Sequence, residues 1–167
     1  MKRLILIRHA KSSWDNPHDD HARTLNDRGR RACKALGAWL DQKRYRPGQV
    51  ISSDAARTRE TTSLIFNGME PKPHVTLTGT LYHASPDALL AALRTATSDT
   101  VALVAHNPGI AFFAEGILRE PPNHPRFFDY PTGATLVCDF DIEEWAGASP
   151  ASAHLVDFIV PRELTDQ

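Results

Sequence analysis

The chain has 167 residues, 41% of them apolar and 23% charged, which suits one globular domain over 1–167 and is awkward for two. Its 19 Lys and Arg stand against 20 Asp and Glu, so the overall charge is near zero and gives no reason to expect a nucleic acid or a membrane as partner. Any anion must be held by a local gathering of arginines.

The first apolar run, Leu4-Ile5-Leu6-Ile7, reads as a buried strand over 2–7. It is too short for a signal-peptide core and stops at Arg8-His9, and no segment approaches a membrane span, so the expected location is the cytoplasm. Residues 10–23 are polar, contain Pro17, Asp19, Asp20 and two histidines, and read as a loop. Thr24-Leu25-Asn26-Asp27 resembles a capping box with Thr24 as N-cap, followed by a helix to about 43 whose inner face is Ala32, Cys33, Leu36, Trp39 and Leu40. A short strand over 50–52 precedes a helix over about 54–67 that ends at Asn67-Gly68. A strand over 75–77 follows, then a helix opened by Ser85-Pro86 and running to about 97. Residues 101–104 form another buried strand, and Asn107-Pro108 starts a helix to about 119. Residues 120–132 are an irregular loop rich in proline and aromatics, which either walls a pocket or pins a long connection to the core. Strands over 135–140 and 153–159 close the chain around a loop at 143–152. Cys33 and Cys138 fall in different elements, form no CxxC pair, and read as small buried hydrophobes.

Strands that alternate with helices predict a three-layer α/β/α sandwich with a mostly parallel central sheet. Ligands bind beyond the carboxyl ends of the strands in such sheets. The residues there are Arg8-His9 after the first strand, Ser53, Asp54 and Arg57 after the second, and His106-Asn107-Pro108-Gly109 after the fourth. Taken singly, each is an ordinary polar residue or turn. Taken together, two histidines and two arginines at one end of a sheet suit phosphoryl transfer. Arginine offers a planar fork of donors that stays charged, neutral imidazole is a competent nucleophile, and a second, protonated histidine can hold an equatorial oxygen.

At these residues a family resemblance emerges. Arg8-His9-Ala10 resembles the Arg-His-Gly signature of the histidine phosphatase superfamily, whose fold is phosphoglycerate-mutase-like. Ser53-Asp54-Ala55-Ala56-Arg57-Thr58-Arg59-Glu60-Thr61 resembles its Ser-x-x-x-Arg-x-x-Gln-Thr segment, and Val104-Ala105-His106-Asn107-Pro108 its Gly-His-Asn segment. The short length and Arg23-Thr24-Leu25-Asn26-Asp27-Arg28-Gly29 look most like the SixA-type phosphohistidine phosphatases, which have Arg-Pro-Leu-Thr-x-x-Gly there. The resemblance implies that His9 attacks phosphorus and is itself phosphorylated, that Arg8 and Arg57 bind phosphoryl oxygens, and that His106 stabilises the same group. It implies no cofactor and no metal. Arg23 either touches phosphate or substrate or is tied to Asp19 or Asp20. Asn107 either orients His106 or caps the next helix, and the cap is preferred. Arg59, two residues from Arg57, faces elsewhere.

The chain departs from the pattern twice. Ala10 stands where glycine is usual, followed by Lys11, which either helps to bind an anionic substrate or is a solvated lysine. Where many superfamily members carry a Glu or Asp that protonates the leaving group, this chain has Gly79-Thr80-Leu81-Tyr82-His83-Ala84. His83, Asp19 or Asp20 could serve, while Asp87 belongs to the first turn of its helix. An imidazole leaving group, with a free pKa of about 6.5, needs less help than an alkoxide. A missing acid therefore favours a phosphorylated histidine on a protein over a small phosphate ester. Two other readings compete: a phosphate-binding regulatory module without turnover, and a metallohydrolase using His9, His18, His21 and His106, for which no HxH or HExxH spacing exists. A mutase is a remote variant, because the chain is short.

Overall fold

A computed structural model describes residues 1–15 and 19–165. The elements in chain order are β1 (Lys2–Arg8), α1 (Asp27–Gln42), β2 (Gln49–Ser53), α2 (Ala56–Phe66), β3 (His74–Thr78), α3 (Pro86–Arg94), β4 (Thr100–Ala105), α4 (Gly109–Ile117), β5 (Thr135–Phe140), β6 (His154–Ile159) and α5 (Arg162–Thr165). The strands form one sheet in the order β3-β2-β4-β1-β5-β6. β3, β2, β4 and β1 are parallel neighbours, β5 is antiparallel to β1, and β6 is antiparallel to β5. Only β5 thus runs against the rest, and the expected mostly parallel α/β sandwich is the observed fold.

Strand side chains alternate between faces, and the two cores follow that alternation. Leu4 and Leu6 of β1 pack with Val101 and Leu103 of β4 against Leu89 and Leu93 of α3 and Ile110 and Phe113 of α4. Ile5 and Ile7 pack with Ala102 and Val104 against Cys33, Leu36 and Leu40 of α1 and Ile65 and Phe66 of α2. Cys33 and Cys138 are buried free thiols, and burial pushes Cys33 up to about 12. Among the described residues no helix is long and apolar enough to cross a membrane.

The predicted start of α1 needs correction. Asn26, not Thr24, is the N-cap: its side chain accepts from Gly29 N at 2.8 Å, while Asp27 turns outward to Arg30. An asparagine oxygen accepting from the N–H three residues on serves as well as a threonine hydroxyl, and the packing of Gly29 on Lys11 chose between them. Gly29 is required by packing. A Cβ there would sit 2.1 Å from the Lys11 carbonyl oxygen, so the first turn of α1 lies directly on the backbone that leaves β1. Asn26 N donates to that same carbonyl at 3.0 Å. Ser85 caps α3 as expected, with Asp87 in its first turn, and the helix stops at Arg94, earlier than the pattern indicated. Leu90 completes the apolar set of α3 only from its flank, half-buried. The loop at 143–152 carries Trp145, which is buried against Phe140 and donates its indole N–H to Ser98 O at 2.6 Å.

Candidate active site

β1 and β4 are paired so that Arg8 stands opposite Ala105. The next residue of each strand, His9 and His106, therefore lies on the same rung, and His9 N donates to Ala105 O at 3.1 Å. Their rings are 5.3 Å apart between centroids, and both residues are buried, 6% and 4% exposed. His9 Nδ1 is 2.8 Å from Ala10 O. A carbonyl only accepts, so Nδ1 carries the proton and Nε2 presents its lone pair. Burial pushes His9 down to about 3, aided by the charges of Arg8, Arg57 and Arg23. It is a neutral imidazole across the physiological range.

His106 Nε2 is bonded to Ser53 Oγ, the last residue of β2, at 2.8 Å. Burial, then the neighbouring His9 and Arg57, push His106 down to about 3 as well. The expectation of a protonated His106 is therefore corrected for this state of the site, because the ring is desolvated and His9, Arg57 and His83 crowd it, which outweighs the opposing charge of Asp20.

Arg57 sits in the first turn of α2 and its side chain is 5% exposed. Its Nη1 donates to Asp20 O at 2.7 Å and its Nη2 to the Asp20 carboxylate at 3.1 Å. Asp20 also accepts from Tyr82 OH at 2.5 Å and from Arg23 Nε at 3.1 Å. Those donors, Tyr82 first, hold its carboxyl well below the usual carboxylate range. Arg8 Nη1 donates to Tyr130 O at 3.2 Å. Among the described residues Arg8 Nε, Arg57 Nε and His106 Nδ1 are buried without a hydrogen-bond partner.

The other sequence candidates are placed as follows. Arg23 is buried and tied to Asp20, to Ser12 Oγ at 2.6 Å and to the face of Trp14 at 3.7 Å, so the link to Asp20 is the observed one. Asp19 accepts from His21 N as the cap of a short 3-10 turn over Asp20–Ala22. Asn107 does not cap α4. Its amide donates to Asp129 O at 3.0 Å and Tyr130 O at 3.2 Å, and Pro108, which has no capping side chain, precedes the helix. The following proline holds the asparagine outside the helical turn, and the 120–132 loop supplies the nearer acceptors. His83 is exposed, stacked on Tyr82 at 3.9 Å, 6.2 Å from the His106 ring and 4.0 Å from Asp20 Oδ2. Lys11 is exposed and lines a cavity of about 360 Å³ together with Arg8. Arg59 is exposed, as its helical position requires. In the 120–132 loop Phe127 and Tyr130 are buried anchors, Tyr130 OH donating to Leu6 O at 2.6 Å, and the backbone between them supplies the acceptors that Arg8 and Asn107 use. The loop therefore both pins and walls.

Among the described residues no three His, Cys, Asp or Glu side chains gather as a metal would need. His21 is instead bonded to Asp54 at 2.8 Å, and His18 lies outside the described residues.

The structure also adds residues that sequence reasoning passed over. Tyr82 touches Asp20 and lies edge-on to His106 at 5.5 Å. Ser53 holds His106, and Thr61 Oγ1 accepts from Ala10 N at 3.0 Å. The sequence places Ser53 beyond the second strand but without a role, and Thr61 stands inside a motif already quoted; nothing in their type marks the bonds they make. Glu60 stands where the resemblance has glutamine, and it bridges Leu25 N and Arg30, stitching α2 to the start of α1.

The comparisons agree with this arrangement. Residues 4–79 match the model described as histidine phosphatase superfamily, branch 1. A candidate phosphohistidine phosphatase SixA from Agrobacterium tumefaciens superposes with a TM-score of 0.78 at 26% identity, over 96% of this chain and 98% of the other. A second candidate SixA, from Nakamurella multipartitia, superposes with a TM-score of 0.80 at 27% identity over 96% of each chain. Over residues 4–79 the chain is thus similar to the histidine phosphatase superfamily. Over nearly its whole length the likeness is to structures of the SixA type. An uncharacterised chloroplastic protein of Arabidopsis thaliana is 44% identical over 61 residues, which is 36% of this chain and spans only 28% of that relative's length. Both histidines stand directly beyond strand ends, on the same rung of the sheet.

Proposed function

We propose that this chain, acting as one domain over 1–167 in the cytoplasm, is a histidine phosphatase that hydrolyses phosphohistidine on a protein. The observation that carries the reading is the state of His9: buried, neutral, its Nδ1 fixed on Ala10 O and its Nε2 lone pair therefore available. In the first step Nε2 forms a bond to phosphorus while the bond from phosphorus to the substrate nitrogen breaks. The leaving imidazole, protonated on its other nitrogen, departs neutral and needs no further proton. In the second step a water oxygen attacks phosphorus, the bond to Nε2 breaks, and inorganic phosphate leaves. Arg8 and Arg57 hold the phosphoryl oxygens, and a bound dianion supplies the charge that lets His106 take up a proton and share that task. The buried nitrogens of Arg8, Arg57 and His106 that lack partners support an anionic occupant, because such groups are costly to leave unpaired.

Of the three candidate proton donors, Asp20 is held ionised and Asp19 is engaged as a cap. His83, 6.2 Å from His106, is the group left to assist a poorer leaving group. Its presence favours a second reading, hydrolysis of small phosphate esters at the same site. The test is turnover of a phosphohistidine-bearing protein beside alkyl and aryl phosphate esters, in chelator, for the native protein and His9→Ala. Fastest turnover on phosphohistidine, lost in the variant, is the expected result. Fast ester turnover with no action on phosphohistidine moves the substrate to the second reading, and native-level activity of His9→Ala overturns the nucleophile.

A further inference from the structure

The cavity of about 360 Å³ beside Arg8 is lined by the side chains of Lys11, Arg28, Arg31, Arg126 and Arg162, with Asp129 the only carboxylate among its lining residues. Arg126 is engaged with that carboxylate at 3.0 Å. Lys11, Arg28 and Arg31 form no ion pair with any described residue. In a chain of net charge −1, this is a local concentration of positive charge that, among the described lining residues, Asp129 alone offsets. Two features hold it in place. Arg28 and Arg31 are three residues apart on α1 and share a face. The close approach of Gly29 to the Lys11 carbonyl fixes the first turn of α1 beside the segment that carries His9 and Lys11, and Lys11, Arg28 and Arg31 line the same cavity.

The cations stand at one flank of the phosphoryl site, not in it. Arg8 is shared between the two, whereas His9, Arg57 and His106 do not line the cavity. A ligand using both must reach past the transferred group. Every lining cation except Arg8 is exposed, so the site is a rim and not an enclosure. Trp14, 72% exposed, is three residues from Lys11, and Phe128, 57% exposed, is two from Arg126. Arginine with exposed aromatics is the composition of a protein interface. We propose that this rim receives carboxylate side chains that flank the phosphorylated residue on the substrate protein. The inference rests on the reading of the site as acting on a phosphorylated protein, and names the feature by which that protein is chosen.

The test compares two peptides carrying a non-hydrolysable phosphonate analogue of phosphohistidine, one flanked by glutamates and one by glutamines. Binding to the native protein and to the double variant Arg28→Gln/Arg31→Gln is measured at low and high salt. The native protein binds the glutamate peptide about fivefold or more tightly than the glutamine peptide at low salt, and both the double variant and high salt remove the preference. Binding of inorganic phosphate, which needs only the phosphoryl site, stays at the native level in the variant and shows that it is folded. Equal affinity of the native protein for both peptides overturns the inference. A preference that persists in the double variant overturns it too. So does a small bisphosphate whose binding depends on Arg28 and Arg31 while the glutamate flanks add nothing. Turnover of phosphoramidate is measured in parallel. Its absence removes the phosphohistidine chemistry, while the flank comparison, which needs no turnover, still reads on the rim.

Discussion

Asp20 lies on the guanidinium that the proposed mechanism reserves for phosphate, and Asp20→Asn separates two roles for it. The Asp20 carboxylate is 3.1 Å from Arg57 Nη2, so a phosphoryl oxygen that reaches the same nitrogen brings two anions to within about 5 Å of each other. Asp20 is nearly half exposed, at 45%, so a water-like dielectric applies, and a carboxylate repels a dianion at that distance by about 1.7 kcal/mol. Ordinary salt reduces this to about 1 kcal/mol. Asparagine keeps the shape and can still accept from Tyr82 and Arg23, but removes the charge. The variant should therefore bind inorganic phosphate or vanadate about 5- to 15-fold more tightly, with kcat on an aryl phosphate within about threefold of native. Steady-state hydrolysis of an aryl ester, with inhibition constants for both anions, measures the two quantities together. An unchanged inhibition constant would refute the competition for Arg57. A fall in kcat of about 100-fold or more would mean that Asp20 protonates the leaving group after all, since losing a general acid costs that much.

Three further outcomes are expected. His83→Gln should slow alkyl ester hydrolysis by at least about tenfold while phosphohistidine turnover changes little, because only the alkoxide needs its proton; equal slowing on both substrates would count against His83 as donor. His9 and His106 have folded pKa values near 3 against about 6.5 unfolded, so their contribution to stability is complete above 6.5 and is lost as pH falls from there toward 3. Urea unfolding should lose about 2 kcal/mol per histidine between pH 7 and pH 5, and His9→Gln/His106→Gln should flatten that slope; the same slope in the double variant would contradict the assignment. Gly29→Ala forces a methyl group against the Lys11 carbonyl and should cost about 1–3 kcal/mol, a drop of roughly 3–10 °C in Tm. A native Tm would show that α1 can move away from Lys11 freely.

Much of this arrangement is legible in the chain because strands buried on both faces announce themselves as short apolar runs. Leu4–Ile7 and Val101–Val104 mark two such strands, and the polar residues that end them are the site: Arg8-His9 and His106. Ser52 and Ser53 end the second strand in the same way, which put Arg57 one helical turn beyond. What pattern could not settle is which of several like groups makes a given bond. Thr24 and Asn26 are both capping residues, and the packing of Gly29 on Lys11 chose Asn26. Asn107 has a capping side chain, but carbonyls brought near by the 120–132 loop took its amide. Asp20 and Asp19 are neighbours with one chemistry, and only the 3-10 turn sends one to Arg57 and the other to a backbone N–H. Tyr82 escaped notice because nothing in its local sequence distinguishes a site tyrosine from a core one.

The pairing of Arg8 with Ala105 has a consequence for how such a chain can change. The spacing between His9 and His106 is set by the hydrogen-bond ladder between two central strands, about 4.8 Å, and by no loop. A one-residue slip in either strand would turn one ring to the opposite face of the sheet and end the chemistry at once. The exposed outer face of α1, with Arg28 and Arg31, and exposed positions such as Phe128 in the 120–132 loop carry no such constraint. Side chains there can be exchanged or recharged while the two histidines keep their distance.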